Sequence, residues 1–562
     1  LVAGHYNFDE VHIDLRPLVQ FARARLFHDE AVKIDHQNKT VICNGRPPVP
    51  YDLLSINIGS TPRIDDVPGA TSFATPVKPI SRFVHRWEQL LGRIIEHPGS
   101  HQIGVVGAGA AGVELLLAIQ FRLQNTLRDL SRSSEGLVFH LVSKSKQIMP
   151  GFPGSVRQRF EHILEKRNVI VHRGVEATKA KDGILILSDA THLELDEVLF
   201  VTAAKAAPWL GNSGLEVDVN GFVKVEDTLQ VIGHPEIFAA GDIADVVNHP
   251  RPKAGVFAVR QGVALSDNLR RVLLNKRPEP FSPQKLVLAL VSSGDKYCVA
   301  NKGAFTIGGK WLWVWKDWID RRFVKKFSVL PEMAQDIALA IDPALASPDT
   351  IKEISAIAMR CGGCGAKVGA NVLSRALSEL EPVPRDDILI GLQDPDDAAV
   401  VEVPQGKVIV HTVDYFRSFI DDPYLFGKIS ANHSLSDIFA MGAEAQSALA
   451  IATVPYGIEA KVEETLRQLM AGAMEMLNDA NAALVGGHTS EGAELALGFS
   501  VNGLVDKERI LRKGGMQPGN VLILTKPLGT GTLFAADMQQ KAKGRWIDGA
   551  LSSMILSNRL AA

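Results

Sequence analysis

The sequence predicts a two-part chain, a mostly parallel α/β unit over residues 1–330 followed by a mixed α+β unit over 359–562. Two patterns carry this. Residues 1–330 alternate short β-branched runs with helical periodicity and turn signals, the order that lays helices on a parallel sheet. From 361 onward the alternation takes another form, with Val408–Val410 and Ala448–Val454 reading as strands and Tyr424–Met441 and Glu459–Asn478 as helices. Between them, 331–358 lacks strand patterning and holds Pro331, Pro343 and Pro348, so it reads as a linker with some helix.

The chain has 562 residues, too many for a single core, with 46% hydrophobic and 22% charged residues and net charge −3. That balance gives no reason to expect nucleic acid as a partner. Four cysteines are too few for a disulfide framework, which points to a reducing, cytoplasmic compartment. No apolar run approaches the roughly 18 residues of a membrane span. The chain opens Leu-Val-Ala-Gly-His and ends Ser-Asn-Arg-Leu-Ala-Ala inside a helical pattern, so both ends are expected to continue in a longer protein.

In the first half, the buried-strand pattern Ile103–Val106 runs into Gly107-Ala-Gly109-Ala-Ala-Gly112-Val-Glu114 at the start of a helix. Glycines there allow a tight turn and close backbone approach to a pyrophosphate, and the helix N-terminus offers N–H groups and positive dipole to the anion. The alternative is a glycine-rich packing turn; the strand-turn-helix context favours the nucleotide. The next strand, Leu137–Val142, ends in Ser143-Lys144-Ser145-Lys146 where an acid would receive a ribose 2′-hydroxyl. Two cations suit the additional phosphate of NADP, and a solvated basic loop is the alternative, so NAD and NADP both stay open.

Glu236-Ile-Phe-Ala-Ala-Gly241-Asp242 and Tyr51–Pro62, taken in this order with the glycine segment, resemble type II NADH dehydrogenases and related two-dinucleotide flavoproteins. The resemblance implies a Rossmann-like flavoprotein that binds FAD and NAD(P)H, with the nicotinamide part over about 78–205. It implies Gly107, Gly109 and Gly112 against the nicotinamide dinucleotide and Asp242 against the flavin's ribityl chain. The group's first glycine fingerprint is missing and would lie upstream of Leu1. No cysteine pair has redox-disulfide spacing; Cys43 stands alone and is expected to be a buried structural thiol, so electrons would pass from nicotinamide to flavin to a diffusible acceptor. Trp311, Trp313, Trp315 and Trp318 lie among six Lys and Arg residues. A membrane-surface role is one reading; a packed aromatic strand and helix with snorkelling cations is the favoured one.

The second half concentrates different chemistry. Cys361-Gly-Gly-Cys364-Gly-Ala-Lys367 places a thiol and an ammonium in flexible backbone, an environment that favours thiolate. No second Cys or His pair follows to make a zinc site of Cys361 and Cys364. Asp394-Pro395-Asp396-Asp397, Asp414 at the end of the next strand and Asp437 inside an otherwise apolar helix follow. Hard oxygen ligands of this kind suit Mg²⁺ on nucleotide phosphates, and an acid in an apolar helix calls for a partner or a metal. Gly486-Gly487-His488-Thr489-Ser490 adds a glycine turn with hydroxyls suited to phosphate.

Read in order, G-C-G-x-K, D-D-A-A-V, D-Y-F, S-D-I-F-A-M-G, G-G-H-T and T-K-P-L-G closely resemble selenide, water dikinase (selenophosphate synthetase), of the ATP-binding fold shared with aminoimidazole ribonucleotide synthetase. The resemblance implies Cys364 and Lys367 as the catalytic pair. It implies ATP contacts from Lys367, Asp394, Pro395, Asp396, Asp414 and Asp437, and Mg²⁺ on Asp397 and Asp437. Gly487, His488 and Thr489 would reach the nucleotide of the partner subunit in a homodimer formed by this domain. His433 stands where the family often has Asn, and the family's last metal-binding Asp would lie beyond Ala562. The expected activity converts ATP, selenide and water to selenophosphate, AMP and phosphate, with the flavin half supplying reduced selenium. The competing reading is an NAD(P)H-dependent oxidoreductase carrying a non-catalytic ATP-binding module; a third is an inactive remnant.

Overall fold

A computed structural model describes residues 1–331, 368–392 and 398–562 except the single positions 79, 98, 203 and 285. The expected linker therefore lies outside the described residues apart from Pro331. The chain divides into two compact units: one of Leu1–Ile13, Val32–Ile42 and Val49–Val329, and one of Asp14–Ala31, Cys43–Pro48 and Leu330–Ala562.

The first unit is built on two five-stranded sheets. Strand β1 (Leu54–Ile56) belongs to one of them; β2 (His101–Val106), β3 (Leu137–Ser143), β4 (Val169–Arg173) and β5 (Glu197–Phe200) belong to the other. In that second sheet the order is Thr75–Pro76, β5, β2, β3, β4, and the strands run parallel. Such strands are buried on both faces, which is why Ile103, Val105, Phe139 and Leu141 are almost fully covered. Helix α1 (Ala110–Asp129) connects β2 to β3 and lays Val113, Leu116, Leu123 and Leu127 into the same core. In the other sheet, β6 (His234–Ala239) pairs in parallel with β1.

Helix α2 (Lys310–Ser328) corrects the expectation of a packed aromatic strand and helix. The tryptophan segment is one helix. Trp313 packs against His5 and Tyr6, whereas Trp311, Trp315 and Trp318 face solvent. Among the described residues no helix is long and apolar enough to cross a membrane.

In the second unit, β7 (Ile388–Ile390) and β8 (Val400–Val401) pair antiparallel. The main sheet has four strands, β9 (Lys407–Arg417), β10 (Glu444–Pro455), β11 (Ala483–Gly492) and β12 (Ala496–Asp506), in the order β9-β12-β10-β11. Two helices, α3 (Pro423–Ala440) and α4 (Glu459–Asp479), join β9 to β10 and β10 to β11. They approach closely at a glycine pair: a Cβ on Gly427 would stand 2.0 Å from the Leu469 carbonyl oxygen, and one on Gly472 would stand 1.9 Å from that of Tyr424. Helix α3 is consequently apolar nearly all round and buried along most of its length.

The early segments of this unit are fastened by charge. Arg16 makes a bidentate pair with Asp537 through Nε and Nη2 at 2.9 Å each. Arg46 reaches Asp422, the N-cap of α3, at 3.0 Å, with its guanidinium stacked 4.0 Å over Phe27. Both acids are buried.

Candidate functional sites

In the first unit the glycine segment takes the geometry its residues require. Gly107 adopts φ 116° and a Cβ there would meet the Val201 carbonyl oxygen at 2.3 Å; a Cβ on Gly112 would meet the Gly107 oxygen at 1.8 Å. Gly109 caps α1 in extended backbone. Backbone N–H groups at the start of a 20-residue helix are thus presented beside strand β2, a fit for a pyrophosphate. At the end of β3, Lys144 pairs with Glu176 at 2.7 Å, so an acid stands beside the cations there. Burial pushes the Glu114 carboxyl up to about 7, opposed by the hydrogen bond it accepts from the Ser292 N–H at 2.5 Å.

Asp242 lies in a single 3₁₀ turn just after β6. Its carboxylate sits 3.2 Å from Lys78 Nζ and 3.3 Å from Ser60 Oγ, and the adjacent Gly241 N–H donates to the buried Gln261 side chain at 2.7 Å. Lys78 and Gln261 were not legible in the sequence, because nothing in their local patterns marks them. The turn's polar groups suit the hydroxyls of a ribityl chain. Cys43 is half-buried rather than buried, and burial raises its thiol; Cys298 is fully buried and pushed up to about 12. Neither is poised as a thiolate.

In the second unit Cys364, Lys367, Asp394, Pro395, Asp396 and Asp397 lie outside the described residues. The others separate into two groups. Asp414 sits within β9, which continues to Arg417 rather than ending at the acid. It faces α3, where His433 Nε2 lies 3.8 Å from its carboxylate. Asp437 is one turn further along α3 and accepts a hydrogen bond from Thr412 at 2.7 Å. It is exposed at the helix edge, and so is not the acid in an apolar interior that the sequence pattern suggests. Thr412 shares the inward-facing register of Asp414, and that two-residue spacing is the signal that would have found it.

Gly487, His488 and Thr489 are not in a turn. They belong to β11, paired with Ala450, Ile451 and Ala452 of β10, at the opposite edge of the sheet from β9. Three strand spacings, about 14 Å, separate the two edges. His488 and Thr489 line a cavity of about 650 Å³ whose apolar walls include Leu377, Leu449 and Val485. Leu392 and Ala398 line it too, so the acidic run 394–397 bridges two residues of its wall in sequence. Among the described residues, no group of three or more His, Cys, Asp or Glu side chains is arranged to hold a metal ion.

Comparison with known proteins finds matches to two families, each over less than half of the chain. Residues 18–262 match the pyridine nucleotide-disulphide oxidoreductase family, and residues 395–505 match the N-terminal domain of AIR synthase related proteins. The chain thus joins a Rossmann-type flavoprotein region to an AIR synthase-related domain.

The particular relatives are as definite. The chain is 40% identical over 197 residues to a selenide, water dikinase of Nitratidesulfovibrio vulgaris (strain DP4), covering 33% of this chain and 56% of that protein. It is 39% identical over 201 residues to the selenide, water dikinase of Desulfitobacterium hafniense (strain Y51), covering 36% of this chain and 58% of that one. The chain therefore spans little more than half the length of these relatives. The sulfide:quinone oxidoreductase of Aquifex aeolicus shares the fold over 58% of this chain and 80% of its own, with TM-score 0.50 and 16% identity.

Proposed function

We propose that this chain makes selenophosphate, AMP and phosphate from ATP, selenide and water in the reducing cytoplasm. Its first half, joined through 331–358, would be an FAD-dependent NAD(P)H oxidoreductase that supplies the reduced selenium. The observation that carries the reading is the cavity beside β11: its wall is continuous in sequence with Asp394, Asp396 and Asp397, and it presents His488 and Thr489. Apolar walls suit a nucleobase, and the acids suit a triphosphate bridged by cations.

Asp397 and Asp437 would hold Mg²⁺, which would neutralise phosphate charge when bound. Lys367 would add a positive charge at the transferring phosphoryl group, and Cys364 would present the selenium nucleophile. Asp414 and Asp437 would orient the nucleotide from the β9 edge, with Thr412 fixing one Asp437 oxygen. In the first half, Gly107, Gly109 and Gly112 would seat NAD(P)H and Asp242 would orient FAD; these groups supply hydride and electron transfer when bound.

Two observations favour a homodimer through the second unit. Asp414 and Asp437 lie at the opposite sheet edge from the His488 segment, so side chains of one chain do not meet there. The outer face of the sheet also leaves Val413 61% and Tyr415 47% exposed. A two-fold partner packed on that face would bring the β9 edge of one chain to the β11 edge of the other.

The test is anaerobic incubation of the full chain with ATP, Mg²⁺ and selenide, read by phosphorus NMR. Selenophosphate and AMP should form together, and Cys364→Ser should abolish both. ATP turnover undiminished in that variant would leave the second half as a nucleotide-binding module only. Adding NAD(P)H with an oxidised selenium source in place of selenide tests the supply step.

A further inference from the structure

Helix α3 is covered on every side but one. Of its 18 residues, all described, only His433, Asp437 and Ala440 are exposed. Their spacing of four and then three places them on a single stripe of the helix. Asn432 and Ser434, on either side of His433 in sequence, are both buried. The packing of α3 therefore asks nothing of His433, whose side chain is 60% exposed.

Strand β9 meets that stripe with alternate residues, which share one face of the strand. Thr412 donates to Asp437 at 2.7 Å. Two residues on, the Asp414 carboxylate stands 3.8 Å from His433 Nε2. Two further, Phe416 meets the imidazole edge to face, with ring centroids 5.5 Å apart. Phe416 is itself seated against Phe419 and the buried Phe426. The histidine ring is thus held between a carboxylate and an anchored aromatic. At 3.8 Å the carboxylate is too far for a hydrogen bond, so this pairing uses none of the imidazole's N–H groups.

Charge gives that ring a task. A phosphate chain brought to the β9 edge meets Asp414 and Asp437, ionised acids that can only accept hydrogen bonds. Its oxygens call for donors, best charged ones. Helix α3 carries one other basic side chain, Lys428, and that one is committed to Glu475 at 2.5 Å. His433 is the member of the exposed stripe that can donate to an anion. We infer that His433 is a phosphate-binding residue of the β9 edge: Asp414 holds the imidazole by charge, Phe416 fixes its plane, and a ring N–H donates to the nucleotide's phosphate chain. The inference rests on the reading that Asp414 and Asp437 face Mg·ATP.

The test uses the full chain and two substitutions. His433→Phe keeps an aromatic ring against Phe416 and removes both nitrogens; His433→Lys restores a cation. Calorimetry with Mg²⁺ and a non-hydrolysable ATP analogue should show affinity about fivefold weaker in His433→Phe, the scale of one exposed charged contact, and within about twofold of the unsubstituted chain in His433→Lys. Adenosine carries no phosphate, so its dissociation constant, from competition with the analogue, should be the same in all three proteins. The melting temperature should not move. Equal losses for analogue and adenosine would make His433 a structural residue only and overturn the inference, as would undiminished analogue affinity in His433→Phe. If the unsubstituted chain binds no Mg²⁺·analogue, the nucleotide reading itself falls and takes this inference with it.

Discussion

Asp422 joins two roles whose contributions can be separated. Its Oδ1 caps α3, accepting the N–H groups of Tyr424 at 3.1 Å and Leu425 at 3.3 Å, and its carboxylate neutralises Arg46. The two side chains are only 9% and 2% exposed, so neither charge has water to fall back on. Arg46→Met strands a buried carboxylate and should lower the stability of the second unit by about 3–5 kcal/mol. Asp422→Asn keeps a capping oxygen but strands the guanidinium, with a similar loss; Asp422→Ala should lose about 1 kcal/mol more with the cap. In Arg46→Met/Asp422→Asn both charges are gone, and the loss should fall short of the sum by at least about 2 kcal/mol. Urea-dependent hydrogen exchange of the α3 amides reads these free energies in the full chain, separately from the first unit. Single losses that add to within about 0.5 kcal/mol would refute the pair and the assignment of Cys43–Pro48 to the second unit.

Other consequences can be measured in the first unit. Gly112→Ala puts a methyl 1.8 Å from the Gly107 oxygen and should weaken NAD(P)H binding at least tenfold, seen in steady-state oxidation with a quinone or dye acceptor. Glu176→Gln removes the carboxylate from Lys144 and should raise kcat/KM for NADPH relative to NADH several-fold, by about 1 kcal/mol of regained charge. His140 and His172 stack with their nitrogens 3.1 Å apart, and burial, then for His140 the neighbouring ring, lowers both pKa values. The folded state thus takes up fewer protons than the unfolded one. The stability this contributes is present above the unfolded value of about 6.5 and lost as pH falls below it. Melting temperature should therefore drop between pH 7.5 and 5.5, and drop less in His140→Gln. Cys298→Ala should leave NAD(P)H oxidation unchanged, since a thiol pushed up to about 12 carries no thiolate near neutrality.

What could be read from sequence follows the range of the forces involved. Strand β2, the glycine turn and α1 were legible because three glycines and a four-residue apolar run specify that geometry within about ten positions. Helices α3 and α4 and the middle parts of β9 and β10 were legible from sequence patterning, whereas β12 was not read as a strand. The conformation at Gly487 and His488 was not: two glycines with small polar residues read as a turn, and only pairing with Ala450 and Ile451, more than thirty positions earlier, makes them a strand. Asp437 misled for the opposite reason. Its neighbours are apolar because α3 is buried on nearly every side, and the one open edge is set by where β9 ends up, which no local pattern states. Lys78 on Asp242 belongs to the same class of long-range contact.

The sheet order has a consequence for how such a site can work. Because β12 and β10 lie between β9 and β11, the acids of β9 and α3 cannot meet His488 within one chain without dismantling the sheet. A site that draws on both must either be completed by a second copy or hold a ligand long enough to reach across about 14 Å. The distinction is experimental. Mixing an Asp437→Asn chain with a His488→Ala chain, each inactive alone, should restore up to about a quarter of the activity if partners complete each other's sites, because random pairing gives half heterodimers, each with one intact site. No recovery, with heterodimers demonstrably present and each variant inactive alone, would mean that each site draws Asp437 and His488 from one and the same chain and would overturn completion by a partner.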